Sequence, residues 1–307
     1  MSKEVKDIDL VILGGGPAGL TAAIYAARAK VNMILLENAF LGGQVRNSYL
    51  IENYPGFKEI DGASLADKMQ EQAEQAGALI DEFDPILNLD LSEDKKIIET
   101  ENYIYNTKSV IIATGATPKK LPIPSEEKFS GKGIHYCAVC DGAIYSDKIV
   151  GVVGGGNAAL EEAVFLSKFA KKVYIIRRYD YFRGERSVFD EAVNNPKIEI
   201  LYNEDLVDVT GENFVKKAIL RNTLTNGERE IEIDAVFGYI GTEPKTKEVE
   251  EYIDLTSNGY IITDESMKTN IPGVFAAGDV RDKVYRQITT AVADGTIAAL
   301  EVEKYIK

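Results

Sequence analysis

Two cysteines, Cys137 and Cys140, stand in C-x-x-C spacing, with Asp141 directly after them and the single histidine, His135, two residues before. That spacing lets two sulfurs meet in a small, readily reduced disulfide. A metal site needs more ligands, and drawing them from His135 and Asp141 would crowd them into one short segment. A structural bridge across so short a loop would stabilise little in a reducing compartment. On residue type alone, an inert buried thiol pair and a redox-active dithiol both stay open. Asp141 has two readings as well. Asp141-Gly142 is a turn signal, and a carboxyl beside the pair can protonate a departing thiolate and later take the proton back. His135 reads as an exposed histidine with no assigned role.

A redox dithiol needs a source of electrons, and two glycine-rich turns offer places to hold one. Residues 8–13 are an apolar run, followed by Gly14-Gly15-Gly16-Pro17-Ala18-Gly19 and a helical stretch over 20–30. Residues 149–153 repeat the pattern, followed by Gly154-Gly155-Gly156-Asn157-Ala158-Ala159 and a helical stretch over 160–170. A second apolar run closes each copy, at 31–36 and at 173–176. Both copies read as βαβ units opened by a glycine turn. Gly14 and Gly154 would allow the tight turn, and Gly16 and Gly156 the approach of a pyrophosphate. Gly19 and Ala159 would keep helix against strand. The helix start, with Pro17-Ala18 in one copy and Asn157-Ala158 in the other, offers free N–H groups to phosphates.

The copies differ at the tip of the second strand. Glu37 stands there in the first, Arg177 and Arg178 in the second. A carboxylate accepts hydrogen bonds from a ribose 2′-hydroxyl and rejects a 2′-phosphate, whereas arginine does the reverse. The first copy therefore suits FAD or NAD, and the second NADPH.

These turns must be carried by the rest of the chain. Residues 61–80 have a helical pattern through Leu65, Met69, Ala73 and Ala76, with Ser64 as N-cap and Gly77 as stop. Stretches 86–91 and 95–101 read as strands, and 109–113 as an apolar strand ending in Thr114-Gly115. Proline-bearing 118–124 reads as a linker. A helix near 186–194 and several strands come next, the last over 231–240. It runs into Gly241-Thr242-Glu243-Pro244, a second linker. A strand over 274–277 ends in Gly278-Asp279, and an alanine-rich helix over 289–305 closes the chain. The layout predicts an α/β protein of two Rossmann-like three-layer nucleotide-binding domains, one inserted in the other. The outer domain would be 1–117 with 247–307, and the inserted one 118–246, holding the cysteines.

Composition narrows the function classes. A length of 307 residues fits two domains, and 45% apolar residues supply sizeable cores. A net charge of −14 repels phosphate backbones and anionic lipid, so nucleic acid and membrane surfaces are poor partners. Residues 1–9 are charged and hold no apolar signal segment, and no run approaches the about 18 apolar residues of a membrane span. The expectation is a soluble, cytoplasmic protein.

Taken together, GGGPAGL at 14–20, ENYPG at 52–56, ATG at 113–115, CAVCDGA at 137–143, GGGNAALEEA at 154–163 and VFAAGD at 274–279 resemble the low-molecular-weight thioredoxin reductases. Tyr285-Arg286-Gln287 before the last helix fits as well, and the resemblance covers nearly the whole chain. It implies FAD in the outer domain, NADPH in the inserted one, and a homodimer. It implies that Gly14, Gly16 and Gly19 hold the FAD pyrophosphate and Glu37 the adenosine ribose. Gln44, Asn53, Thr114, Gly115, Arg286 and Gln287 would lie near the flavin group, and Asp279 near its ribityl chain or pyrophosphate. Cys140 would take electrons from the flavin, Cys137 would attack the disulfide of thioredoxin, and Asp141 would exchange the proton. Nicotinamide and disulfide would then reach the flavin in turn, by rotation about the two linkers. The phosphate motif departs from the family: Ile176 replaces a histidine, and Arg183 or Arg186 would complete the site across one extra residue. The departure leaves reduced ferredoxin as an alternative donor. Relatives carry a small polar residue in place of His135, so the resemblance assigns it no role.

Overall fold

The computed structural model describes residues 3–48, 51, 53–92 and 96–307, and only the backbone at 139 and 140. Glu52 of the ENYPG motif, residue 95 and the side chain of Cys140 lie outside the described residues. The chain divides into two compact units, 1–117 with 243–307, and 118–242. Residues 243–246 fall in the outer unit rather than the inserted one. Lys245 N–H donates to Gly115 O at 3.0 Å, and Thr114 Oγ1 donates to Lys245 O at 2.7 Å, which ties them there.

The outer unit opens with β1 (Glu4–Leu13), α1 (Pro17–Arg28), β2 (Met33–Glu37), α2 (Gly62–Ala76) and β3 (Leu79–Glu82). A meander of β4 (Ile86–Asp90), β5 (Lys96–Thr100) and β6 (Tyr103–Ile112) comes next, and β7 (Ala116–Pro118) leads out of the unit. The sheet runs β3-β2-β1-β6-β5-β4. Strands β1, β2, β3 and β6 are parallel, whereas β5 pairs antiparallel with both β6 and β4.

The inserted unit holds α3 (Glu126–Phe129), β8 (Ile134–His135), α4 (Ala138–Asp141), β9 (Ile149–Gly154), α5 (Asn157–Ser167), β10 (Lys172–Arg177), α6 (Arg186–Asn194) and β11 (Ile198–Tyr202). An antiparallel sheet of β12 (Glu204–Thr210), β13 (Lys217–Asn222) and β14 (Glu228–Glu232) is next, then β15 (Ala235–Tyr239). The main sheet here is all parallel, in the order β11-β10-β9-β15-β8. The chain returns through β16 (Thr242–Pro244), which pairs with β7, to β17 (Val274–Ala276) and α7 (Ile288–Ile306). Strand β17 pairs with residues 110–112 of β6, beyond the stretch of β6 that β5 occupies.

Strand alternation builds the layers. On β1, Leu10 and Ile12 enter the core shared with α1, α2 and α7, while Val11 and Leu13 enter the core on the opposite face. On β9 and β10, Val150, Val152, Val173 and Ile175 pack with α5, and Val153 and Ile176 face the β12–β14 side. Both faces of each parallel sheet are therefore dry, and these strands read as continuous apolar runs.

Three elements differ from the sequence reading. Asp61, not Ser64, caps α2: its side chain accepts the Ser64 N–H at 2.9 Å, and Gly77 ends the helix at φ 93°. The run 231–240 is split between β14 and β15, because Asp234 turns the chain and accepts from Ile149 N–H at 3.1 Å. Gly154 has no left-handed φ. A side chain there would meet Tyr239 O at 2.4 Å, so close packing, not turn geometry, calls for glycine. Gly14 does sit at φ 106°.

The tightest approach in the outer unit is at Gly19, where a Cβ would stand 1.8 Å from Gly14 O. Gly19→Ala must push α1 off the end of β1. It is expected to lower the urea midpoint by an amount equivalent to about 2–3 kcal/mol, as overpacking does elsewhere.

Candidate nucleotide turns and redox site

In the outer unit, Gly16 is the residue before α1, and α1 starts with Pro17 and no side-chain cap. Nothing lies within 4 Å of where a Gly16 Cβ would be, and the first-turn N–H groups of α1 have no acceptor within the helix. Glu37, at the tip of β2, accepts Gly15 N–H at 2.8 Å and Ala39 N–H at 3.0 Å, and this holds its carboxylate against the turn. Ala18, in the first turn of α1, is where the end of the chain comes in. A Cβ on Gly278 would stand 2.9 Å from that of Ala18, and one on Gly295 2.2 Å from Ala18 O.

Residues 278–280 present Asp279, whose Oδ1 is buried without a hydrogen-bond partner. Burial raises its carboxyl above the usual range, with a further push from Asp294, against the pull of Lys283 and Arg286. Arg286 lies 4.0 Å over the Tyr260 ring, and its Nε is buried and unpartnered too. Buried polar atoms left open in this way call for a ligand or water. Asn53 and Gln287, 234 positions apart, meet: Asn53 Nδ2 donates to Gln287 Oε1 at 3.3 Å. Gln44 Nε2 donates to Ala116 O at 3.3 Å. Gly14, Gly16, Gly19, Glu37, Gln44, Asn53, Thr114, Gly115, Asp279, Arg286 and Gln287 all belong to the outer unit.

The second turn repeats the geometry at Gly156, which likewise has open space above it and precedes α5. Asn157 is anchored to the chain beyond β10, donating from Nδ2 to Glu185 Oε1 at 3.1 Å. Ala158 is exposed in the first helical turn. The arginines do not all sit as free strand-tip cations. Arg177 is buried, donates from Nε to Tyr181 O at 2.8 Å, and lies 4.9 and 5.4 Å from the ring centres of Tyr179 and Tyr181. It packs along Gly155, where a Cβ would stand 2.3 Å from its Cζ. Arg178 pairs with Asp205 at 3.0 Å but keeps half its side chain exposed. Arg183 is tied to the turn by its backbone, N–H to Gly155 O at 2.9 Å, and its side chain is exposed. Arg186 pairs with Asp190 at 2.9 Å. Ile176 is 1% exposed and lies in a core, so its replacement of histidine changes packing rather than the open turn.

Cys137 precedes α4 and is disulfide-bonded. The only other cysteine of the sequence is Cys140, whose side chain lies outside the described residues. Among the described residues no group of three metal-ligating side chains occurs. Ala138 N–H donates to Tyr239 OH at 2.9 Å, which fixes α4 to β15. Burial, then the field of Glu162, pushes the Tyr239 phenol well above its ordinary value, so it stays protonated. Asp141 Oδ2 lies 3.0 Å from His135 Nδ1. His135 is 5% exposed, against the expectation of an exposed residue, because β8 carries it into the sheet.

Residues 8–295 match the family described as pyridine nucleotide-disulphide oxidoreductase. The chain belongs to that family. Within it, the chain is 53% identical over 304 residues to the "34.2 kDa protein in rubredoxin operon" of Clostridium pasteurianum, covering 99% of each. It is 45% identical over 306 residues to the thioredoxin reductase of Peptoclostridium acidaminophilum, covering 97% of each. The solved thioredoxin reductase of Lactococcus lactis superposes with a TM-score of 0.94 at 41% identity, over 97% of this chain and 99% of that one. No helix among the described residues is long and apolar enough to cross a membrane.

The motif at 154–163 of this oxidoreductase also holds a titratable group to which the sequence assigns no role. Glu162, on α5, has its Oε2 buried without a partner, and burial, aided by Glu161, pushes its carboxyl up to about 7 from an ordinary 4.5. Between those two values the folded chain binds more protons than the unfolded chain, so folding weakens as pH rises through that window. Glu162→Gln removes the effect. Its melting temperature relative to the parent is expected to rise between pH 5 and pH 8, by up to about 3 kcal/mol in stability, and to level off above. A pH-independent difference would show that Glu162 is ionised throughout.

Proposed function

We propose that the chain is a FAD-dependent thioredoxin-disulfide reductase. It takes electrons from NADPH and delivers them through Cys137 and Cys140 to the disulfide of thioredoxin or a thioredoxin-like protein. The observation that carries this reading is the disulfide-bonded Cys137 beside Asp141, in the same unit as an open glycine turn. Each turn fits its group by its own chemistry. Around Gly16, the free N–H groups of α1 would face a pyrophosphate, and Glu37 accepts hydrogen bonds as an adenosine ribose requires. The unpartnered Asp279 Oδ1 and Arg286 Nε supply an acceptor and a donor for FAD polar groups. Around Gly156, the partly exposed Arg178 and the exposed Arg183 are the cations left for a 2′-phosphate. Arg177 shapes the turn from beneath by packing on Gly155.

FAD bound in the outer unit supplies the hydride-accepting and electron-pair-donating chemistry that links NADPH to the disulfide. The remaining work belongs to the chain. Cys137 attacks the substrate disulfide and Cys140 resolves the mixed disulfide, while Asp141 protonates the first departing thiolate and takes a proton back from the Cys140 thiol. The ferredoxin alternative rests on the altered phosphate motif, with Ile176 in place of a histidine and one extra residue before the last arginine. NADPH is favoured over it, because Ile176 is a core residue, the turn at Gly156 stays open and Arg183 is tied to that turn through its backbone. The same reading takes the enzyme as a cytoplasmic homodimer.

Added anaerobically to the FAD-loaded protein, NADPH is expected to bleach the flavin within seconds; flavin that stays yellow refutes the donor. Cys137→Ser is expected to leave that bleaching intact and to cut turnover of thioredoxin disulfide at least about a thousandfold. Arg178→Ala is expected to raise the KM for NADPH roughly tenfold and to leave that for NADH unchanged. Equal effects on both nucleotides would remove Arg178 from the phosphate site.

A further inference from the structure

The one histidine of the chain lies on β8, in register with Phe237 of β15. Its ring stacks on Phe237 at 5.4 Å between centres, and Tyr145 meets both rings edge-on at 5.4 and 6.0 Å. The imidazole is thus held in one plane by packing. Both ring nitrogens are used: Nδ1 lies 3.0 Å from Asp141 Oδ2 and Nε2 lies 2.8 Å from Tyr145 OH.

The partners determine the tautomer. Burial, then the charge of Asp141 and that of Asp234, raises the Tyr145 phenol, so it keeps its proton and donates to Nε2. The hydrogen of the neutral ring then sits on Nδ1 and is donated to Oδ2 of Asp141. An oxygen that accepts this bond does so whether the carboxyl is ionised or protonated, provided the acid proton is on the other oxygen.

We propose that His135 is the positioning residue of Asp141. It occupies Oδ2 in both states and so makes Oδ1 the oxygen that gives and takes the proton of the cysteine pair. This rests on the proposed role of Asp141 in reducing a thioredoxin disulfide. In that reaction the Cys137 thiolate forms a bond to one substrate sulfur. The substrate S–S bond breaks, and its leaving thiolate takes the proton from Asp141 Oδ1. The Cys140 thiol then returns a proton to Oδ1 as it attacks Cys137, and the second substrate thiolate leaves and is protonated from water. The enzyme dithiol is oxidised to a disulfide, the substrate disulfide is reduced to a dithiol, and Asp141 ends as it began. Tyr145 stands behind His135 and holds its tautomer.

The test measures steady-state reduction of thioredoxin by the FAD-loaded enzyme for His135→Leu, His135→Asn, Asp141→Asn and His135→Leu combined with Asp141→Asn. His135→Leu is expected to lower kcat about tenfold at unchanged KM for NADPH, the loss of one hydrogen bond to a charged group. His135→Asn, whose amide nitrogen can take the place of Nδ1, is expected to recover kcat to within about twofold of the parent. In the Asp141→Asn background, His135→Leu is expected to change kcat by less than about twofold, since its effect runs through the carboxylate. Anaerobic reduction of the flavin by NADPH reports that each variant is assembled. Where His135→Leu does not fold, His135→Gln carries the same comparison with a polar side chain. Parental kcat in His135→Leu, or effects of the two substitutions that multiply, would overturn the proposal. Parental kcat in Asp141→Asn would instead overturn the role of Asp141 on which it rests.

Discussion

The structure depends on how closely a helix can begin beside the end of a parallel strand. At Gly19 and at Gly154 the space for a side chain is already filled by backbone oxygen, of Gly14 in one unit and Tyr239 in the other. These contacts bring the starts of α1 and α5 close over the ends of their sheets. There the N–H groups of the first turn, which have no acceptor within their helix, stand at the end of each sheet. Other site residues are placed relative to these two junctions. Glu37 is held to one by Gly15, Arg177 packs against Gly155 of the other, and the turn carrying Asp279 abuts Ala18.

The two junctions are equivalent in outline and unlike in detail. The first uses a left-handed glycine at 14, whereas the second uses glycine at 154 only for room. The first meets an acid and the second a set of arginines, of which one is committed to aromatic packing. An arginine stacked on Tyr179 and Tyr181 and bonded to Tyr181 O is a rigid wall rather than a mobile cation. Arg178 and Arg183 keep exposed side chains beside that turn. Helix α4, behind the disulfide-bonded Cys137, adds a third device, because it is fixed by the Ala138 N–H bond to Tyr239 and by the His135 contact to Asp141. Two buried ring systems thus hold a four-residue helix that has little internal bonding of its own.

Residue type and local spacing were enough to mark the C-x-x-C-Asp segment, both glycine turns, the internal repeat and the approximate elements. Helix Arg186–Asn194 has the bounds expected from its own residues. The α/β architecture is legible in the same way, because a strand with both faces dry reads as an apolar run wherever it occurs. Pairs of residues far apart in the chain were settled by the folded arrangement alone. That His135 is buried against Phe237 and bonded to Asp141 depends on β8 joining the edge of a sheet whose neighbouring strand comes a hundred residues later. That Ile176 is a core residue, that Arg177 is spent on packing and that residues 243–246 belong to the outer unit are likewise outcomes of pairing. So is the burial of Glu162, whose polar neighbour Glu161 marks an exposed helix face in sequence. The physical reason is the same in each case. Residue type sets what a side chain can do, but burial and hydrogen-bond partners set what it does, and these exist only once distant strands have paired.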